Sequence, residues 1–518
     1  MPRKTLRRQN QSRKDASSSG DSAGAEKIAS IAAGPVPPRW KFGLAAGLIA
    51  LALAGGVLLG FHQTFEADMW WHLAQGREAA AGRLVRTNLF SGTYPNYPQP
   101  FTSWLFELGT FILWRIGGAA GIQAGQALLI ALTLGFTYCA CRRRATIPAV
   151  LAVEALGFFI IELRVTPRPH LASMALMAAC ALLIERAREW RSAIPLAWAI
   201  LAIALWSNIH AECFFGAALV GMFAAGEFLL PKALPRRQAW IALALAAICT
   251  AANMVNPYGF GLFRYLWEGA HASEVVQIAE LRPAYLPVYA PYFAYVFCGA
   301  GLLLWKLRKL ALWELLVFGA FTALGLLHVR FVALSFCATA PIVAARLAEV
   351  LPKTVKAAIP VGVALCAGML LSPRPAAVRF GQLGVGESFL APPDIVSAGA
   401  ISFIRSVGLK GTAFNSNNLG GYLIWNLYPE VRVFQDSRFQ SYPPELFANI
   451  HEAYESQSQW DKLVAGVDWA VLSLSRRGPL SGAGRFPQDQ WALVYQDDAI
   501  GIVVRRSGRF GALTAKYR

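Results

Sequence analysis

KFGLAAGLIALALAGGVLLGFHQTFEADMWWHLAQG, residues 41–76, joins a long apolar run to a cluster of acidic and aromatic side chains. The run over 42–61 has the length of a bilayer-crossing helix, which takes about 20 apolar residues. The stretch after it, FEADMWWHLAQG (65–76), holds Glu66, Asp68, Trp70, Trp71 and His72. Asp68 is the only aspartate between Asp21 and Asp394. A chain that avoids aspartate throughout its apolar region, yet keeps one beside the first span, invites a chemical explanation.

Working outward, apolar runs of similar length recur. The chain has 518 residues, 56% hydrophobic and only 15% charged, against about 25% charged in an ordinary soluble protein. This is the composition of a polytopic α-helical membrane protein. The net charge of +18 does not indicate nucleic acid, because the basic residues cluster between apolar runs, as the positive-inside rule expects. The eight cysteines lie in or at the ends of apolar segments, with no disulfide or zinc spacing. Residues 1–41 carry nine Lys/Arg against three Asp/Glu. They read as a disordered basic cytoplasmic tail, with the first span kept as a signal anchor.

Later candidate spans are 120–141, 146–163, 169–186, 193–209, 212–230, 238–254, 288–305, 311–327, 330–350 and 357–372, for about eleven in all. Arg142–Arg144, Arg186/Arg188/Arg191, Lys232/Arg236/Arg237, Lys306/Arg308/Lys309 and Lys353/Lys356 fall on alternate connections. The expectation is therefore N-terminus inside and C-terminus outside. Residues 102–118 read as an amphipathic helix on the outer surface, with Trp104, Leu105, Leu108 and Ile112 at helical spacing. A further span is the competing reading. In this topology His62, His72, His170, His210, His271, His328 and His451 all face outward.

The expected organisation is tail 1–41, membrane domain 42–372 with outer loop 62–119, linker 373–389, and a small α/β extracytoplasmic domain over 390–518. In that domain TAFNS, VRVFQDS, DWAVLSLS, WALVYQDD and AIGIVVRR read as strands. ISFIRSVG, PPELFANIHEAYESQ and SQWDKLVAG read as helices. GGYLIWNLYP is too short to cross and reads as a buried helix.

Among candidate chemical groups Asp68 comes first, as a general base for an attacking hydroxyl, with Glu66 beside it. A helix-capping carboxylate is the plain alternative. Trp70 and Trp71 suit a membrane interface or a sugar face. Glu107 is a second carboxylate or merely the polar face of its helix. RVTPRPH (164–170) brings Arg164, Arg168 and His170 into one short loop, and guanidinium forks bind phosphate oxygens. NIHAE supplies His210, AELRP supplies Glu280 and Arg282, and LLHVRF supplies Arg330. Asp436 and Arg438 sit at a strand end, where α/β domains place ligand contacts; a structural ion pair is the alternative. No Walker loop, dinucleotide fingerprint or His-x-x-x-His pair is present, so a divalent metal, if any, would draw ligands from separate loops.

These features resemble the GT-C superfamily of membrane glycosyltransferases, which includes protein O-mannosyltransferases and aminoarabinose transferases. The similarity is greatest to a bacterial group with the ordered pattern D-x-W-W-H-L-x-x-G, W-L-x-E, R-P-x, N-x-H, N-P-Y-G, E-x-R-P and a late G-G-Y-L…P-E…D-x-R. Here these are Asp68–Gly76, Trp104–Glu107, Arg168–His170, Asn208–His210, Asn256–Gly259, Glu280–Pro283 and Gly420–Arg438. The resemblance implies a polyprenyl-phosphate-linked sugar donor, a lipid, glycan or protein acceptor, and a place in the bacterial inner membrane. It implies Asp68 as base, with Arg164, Arg168, Arg282 or Arg330 holding the lipid phosphate. Two departures stand: the acidic pair is Glu-Ala-Asp rather than two adjacent acids, and the Trp-Trp-Asp signature of oligosaccharyltransferases is absent. The rival functions are a transporter or lipid flippase, which needs charges near mid-span, and a non-catalytic scaffold. Glu154, Glu227 and Glu314 are the candidates for such charges.

Overall fold

A computed structural model describes residues 54–516 apart from 57, 65, 100, 265–266, 268–278, 352–382, 392–394 and 475–482. The expected tail, most of the first span, the last candidate span and His271 lie outside the described residues.

The expected outer loop opens with helix α1, Met69–Ala80. The next helix, α2, runs Trp104–Arg142 and is broken at Gly118 (φ 55°, ψ −138°). That backbone geometry is open to glycine and costly for other residues. Gly118 therefore divides the 102–118 segment from the expected span that follows it. Among the described residues eight further apolar helices follow: α3 Ile147–Glu162, α4 His170–Trp190, α5 Ala197–Trp206, α6 Cys213–Leu229, α7 Arg236–Ala252, α8 Ala290–Trp305, α9 Leu312–Leu327 and α10 Val332–Leu347. Trp104–Arg142, His170–Trp190 and Val329–Leu347 are long and apolar enough to cross a membrane.

The helices present many large apolar residues outward and bury several hydroxyl side chains. Leu128, Trp198, Leu201, Trp240, Phe297 and Leu304 are exposed, while Thr133, Thr137, Ser173, Ser335 and Thr339 are buried. Apolar outward faces with hydroxyls between the helices suit a hydrocarbon solvent. Inside, Tyr292 Oη donates to Ser335 Oγ (2.8 Å), and Tyr295 Oη lies 2.8 Å from Thr339 Oγ1, which ties α8 to α10.

The C-terminal region forms a five-stranded sheet with order β2-β1-β3-β5-β4. The strands are β1 Gly411–Asn415, β2 Val431–Val433, β3 Trp469–Ser473, β4 Trp491–Gln496 and β5 Ile500–Arg505. β1 pairs in parallel with β2 and β3, while β5 pairs antiparallel with β3 and β4. GGYLIWNLYP contributes to helix α12, Asn417–Leu427, after α11, Ala398–Val407.

Three junctions bind this sheet to the helices. Thr64 N–H donates to Phe389 O (2.9 Å) and Glu66 N–H to Leu390 O (2.6 Å). The connection between α1 and α2 lies along β2: Gly92 N–H donates to Val433 O (2.8 Å) and Val433 N–H to Phe90 O (3.1 Å). Helix α12 packs on α1, with Trp70 edge-on to Tyr422 at 5.1 Å.

Candidate active site

Asp68 stands at the N-cap of α1, yet its side chain makes no capping hydrogen bond. Capping is thus not its use. Its Oδ1 accepts a short hydrogen bond from Ser437 Oγ, and its Oδ2 is 2.7 Å from Arg168 Nη2. Glu66, two residues back, accepts from the Asp68 N–H (3.0 Å) and from Arg168 Nη2 (3.0 Å). The same guanidinium reaches Glu280 through Nη1 at 2.9 Å. One arginine therefore holds three carboxylates from two separate loops.

The cluster continues sideways. Arg164 Nη1 lies 3.4 Å from Glu280 Oε1. Arg330 Nε donates to Glu212 Oε1 (3.1 Å), and its Nη2 is 3.1 Å from His210 Nε2. His210 Nδ1 meets Ser173 Oγ at 2.8 Å, and Trp206 Nε1–H donates to that hydroxyl (2.8 Å). Four carboxylates face three guanidiniums. These groups come from connections at one end of the helices: before α1 (Glu66, Asp68), before α4 (Arg164, Arg168), between α5 and α6 (His210, Glu212), between α7 and α8 (Glu280) and between α9 and α10 (Arg330).

Burial pushes the Glu66 carboxyl up to about 7, against the pull of Arg168 and with help from the Asp68 charge. Glu280 goes the other way: burial would raise it, but Arg164, Arg168 and Arg330 hold it at about 2. Arg168 is kept firmly protonated by Asp68, Glu66 and Glu280, despite its burial. Arg164 Nε is buried with no hydrogen-bond partner. A guanidinium N–H left idle among carboxylates is a donor available to an anion.

A second network lies behind the first. His72 Nδ1 is 3.3 Å from Glu107 Oε1; burial lowers the His72 pKa, although Glu107 opposes this. With its amide turned to satisfy its neighbours, Gln75 donates to Glu107 Oε2 at 2.9 Å. Gly76 lets the helices approach this closely, since a Cβ there would stand 2.1 Å from Glu107 O. Glu107 is buried, so it is not the solvated polar face of its helix.

Asp436 and Arg438 are buried. Arg438 reaches Asp436 through Nε (2.8 Å) and Nη2 (2.5 Å), Gln99 through Nη1 (2.6 Å) and Asn88 through Nη2 (2.8 Å). Tyr442 Oη donates to the same aspartate (2.7 Å). The pair locks the α1–α2 connection to the sheet and presents Ser437, between them, to Asp68. Trp71 Nε1–H donates to Ser437 Oγ (3.1 Å). Trp70 is a packing residue, edge-on to Trp114 at 5.7 Å.

Of the residues singled out from sequence, Glu66, Asp68, Arg164, Arg168, His210, Glu280 and Arg330 come together, with His72 and Glu107 adjacent. His170 is buried with Nε2 2.6 Å from Arg164 O, which shapes the loop that carries the arginines. Arg282 is exposed; its carbonyl accepts from Val329 N–H (2.9 Å). Sequence reasoning missed Ser437 and the amides Asn88, Gln75 and Gln99.

Among the described residues no group of three His, Cys, Asp or Glu side chains is disposed to hold a metal ion. The positive charge shared by Glu66 and Asp68 is that of the Arg168 guanidinium. Two of the three proposed mid-span charges are helix-end anchors. Glu227 Oε2 accepts from the N–H groups of Lys232 (3.1 Å), Ala233 (2.8 Å) and Leu234 (2.8 Å). Glu314 pairs with Arg144. Glu154 Oε1 is buried without a partner.

The architecture, a set of apolar helices with the polar cluster at one end and a sheet packed against them, is shared with solved structures. In particular, the oligosaccharyltransferase of Archaeoglobus fulgidus, solved with a tethered acceptor peptide, superposes with a TM-score of 0.55 at 12% identity, over 83% of this chain and 69% of that one. The same archaeal enzyme, AglB, in complex with an inhibitory peptide and a dolichol-phosphate, gives a TM-score of 0.53 at 12% identity, over 84% and 70%. No family model matches the sequence, and no curated sequence matches it.

Proposed function

We propose that the protein is a glycosyltransferase that moves a sugar from a polyprenyl-phosphate donor to an acceptor hydroxyl at the outer face of a bacterial inner membrane. The chain would cross that membrane about eleven times, N-terminus inside and C-terminus outside. The observation that carries the reading is the bridged carboxylate pair: Asp68 is free of capping duty, only partly buried, and flanked by arginines with a donor to spare.

The chemistry is a direct displacement. Asp68 takes the proton of the acceptor hydroxyl. The hydroxyl oxygen forms its bond to the anomeric carbon as the bond from that carbon to the phosphate oxygen breaks, with inversion. The phosphate leaves with the electron pair, and Arg164, Arg168 or Arg330 stabilises its charge. Glu66, neutral over half the time below about pH 7 by its pKa, reduces the negative charge beside Asp68 and lets a phosphate approach. A lipid phosphate of the same class is present in the AglB complex. His72, Glu107, His170, Glu280 and Glu212 orient the acid–base and arginine groups rather than react, and Arg282 is assigned to the surface where the lipid arrives.

The test is sugar transfer by purified protein in lipid, over a panel of polyprenyl-phosphate sugars, with wild type beside Asp68→Asn. Transfer by wild type and not by the variant is expected. Transfer that survives the substitution removes Asp68 as the base. Silence of the wild type with every donor, in a folded preparation, overturns the enzyme reading in favour of transport or scaffolding.

A further inference from the structure

At the opposite end of the same helices lies a cavity of about 680 Å³, lined by Arg142, Arg143, Arg144, Thr146, Arg188 and Arg346 together with Glu349 and small residues. It sits where α2, α4 and α10 end and α3 begins. We propose that this cavity is a phosphate-binding site, distinct from the Asp68 cluster and built for a phosphomonoester or phosphodiester group.

Charge bias alone accounts for arginines on this side of a membrane protein, but it asks only that they be solvated. Here two are not. The Arg144 and Arg346 side chains are 6% and 11% exposed, and each is fixed by carboxylates. Arg144 pairs with Glu185 and Glu314. Arg346 Nη1 is 2.7 Å from Glu349 Oε1. Arg188 Nε donates to Glu185 Oε2 at 2.8 Å, and Arg143 pairs with Glu189. The arginines are therefore preorganised, and they still outnumber Glu185, Glu189, Glu314 and Glu349.

The second observation is what these pairs leave unused. Arg143 Nε, Arg346 Nε and Thr146 Oγ1 are all buried without a hydrogen-bond partner, and all three residues line the cavity. Orphaned buried donors are rare and ask for an acceptor. Helix α3 adds to them. Its N-cap, Thr146, makes no side-chain capping bond and Pro148 stands in its first turn, so the first-turn N–H groups receive no cap from Thr146 and the positive end of the helix dipole lies beside the cavity. Convergent N–H and O–H donors with a surplus of guanidinium charge select a tetrahedral oxyanion. In a membrane protein basic pockets between helices meet anionic lipid headgroups, and the same donors would take a soluble phosphate.

The experiment uses the full chain in nanodiscs of phosphatidylcholine with and without phosphatidylglycerol. Co-purified lipid is counted by native mass spectrometry, and inorganic phosphate is titrated as competitor. Wild type should retain phosphatidylglycerol over phosphatidylcholine. The double variant Arg143→Gln, Thr146→Val should lose about tenfold or more of that preference, the value of one charge-assisted hydrogen bond. Arg432→Gln, exposed on β2, should change nothing. If inorganic phosphate displaces the lipid and binds wild type better than the double variant, the site stands and its ligand is a soluble phosphate. If phosphate does not compete, the site stands and the ligand is the lipid headgroup. Equal retention of lipid and equal phosphate binding by wild type and double variant overturns the proposal. Should the double variant misfold, Arg143→Lys, which keeps the charge and loses the Nε–H, must still weaken binding. The readout is binding, so it is independent of sugar transfer.

Discussion

Two arginine–carboxylate clusters lie within the same stretch of this molecule, and they are built differently. Around Arg438 every guanidinium nitrogen has a partner, the aspartate is fully buried, and amides and a phenol complete the shell. Around Arg168 one guanidinium serves three carboxylates, of which Asp68 and Glu280 are only partly buried, and the neighbouring Arg164 keeps a donor unpaired. A closed network rigidifies; an open one can exchange a partner for a ligand. The same residue types therefore divide into a lock and a candidate reaction centre, and the division rests on satisfaction and exposure rather than on composition.

The comparison breaks most visibly at Asp68. Asp68→Asn should lower transfer by about 10²- to 10⁴-fold, the usual value of a positioned general base, while leaving the folded state nearly intact, because no cap is lost. Arg438→Ala should do the reverse. It strands Asp436 in a site with no solvent and should destabilise the protein by about 3–5 kcal/mol. The measure is apparent Tm and folded yield, and activity should fall only in proportion to the folded fraction. If Arg438→Ala folds normally and loses transfer, the lock is part of the chemistry and the contrast fails.

How far the sequence foretold this can be judged residue by residue. The strands over 411–505 were legible because alternating apolar residues are bounded by glycine and polar turns. The acidic motif was legible because ionisable groups are scarce beside spans. The glycines of D-x-W-W-H-L-x-x-G and G-G-Y-L acquired a reason only in three dimensions: a Cβ at Gly76 would meet Glu107 O at 2.1 Å, and one at Gly420 would meet Gln435 O at 2.4 Å. Ser437 was missed although Asp436 and Arg438 were chosen. Ser437 sits at a bend after β2, closed by the Arg438 N–H on Asp436 Oδ1, and no residue spacing reports which way a bend turns its side chain. Asn88, Gln75 and Gln99 carry no spacing signal, because an amide joins a network through the partners the fold brings to it.

The open cluster should also be marked by pH. Burial raises the Glu66 carboxyl from 4.5 to about 7. A folded-state pKa above the unfolded one means that the native state binds the proton more tightly. The contribution to stability is then fully present below about pH 4.5 and is lost as pH rises through 7. The loss amounts to about 3 kcal/mol at most. Thermal unfolding followed between pH 5 and 8 should show a declining Tm in wild type and a flatter profile in Glu66→Gln. Equal slopes in the two proteins would mean that Arg168 keeps Glu66 ionised throughout.

The smallest effect is expected at Ser437, and it tests how the two clusters meet. Its hydroxyl donates to Asp68 and accepts from Trp71 Nε1, so Ser437→Ala removes one hydrogen bond from the carboxylate without touching the Arg438 lock. A hydrogen bond to a charged group contributes about 1.5–3 kcal/mol when buried. Asp68 is partly exposed, and water can replace the lost donor, so the expected loss is nearer 1–2 kcal/mol, roughly five- to thirtyfold in transfer. Tm should hardly move. The decisive form is a double-mutant cycle with Asp68→Asn. If Ser437 acts by orienting Asp68, its removal costs nothing further once the carboxylate is gone. If the two losses multiply, Ser437 reaches the substrate by itself, and the C-terminal domain then contributes directly to the reaction rather than through the residue it holds.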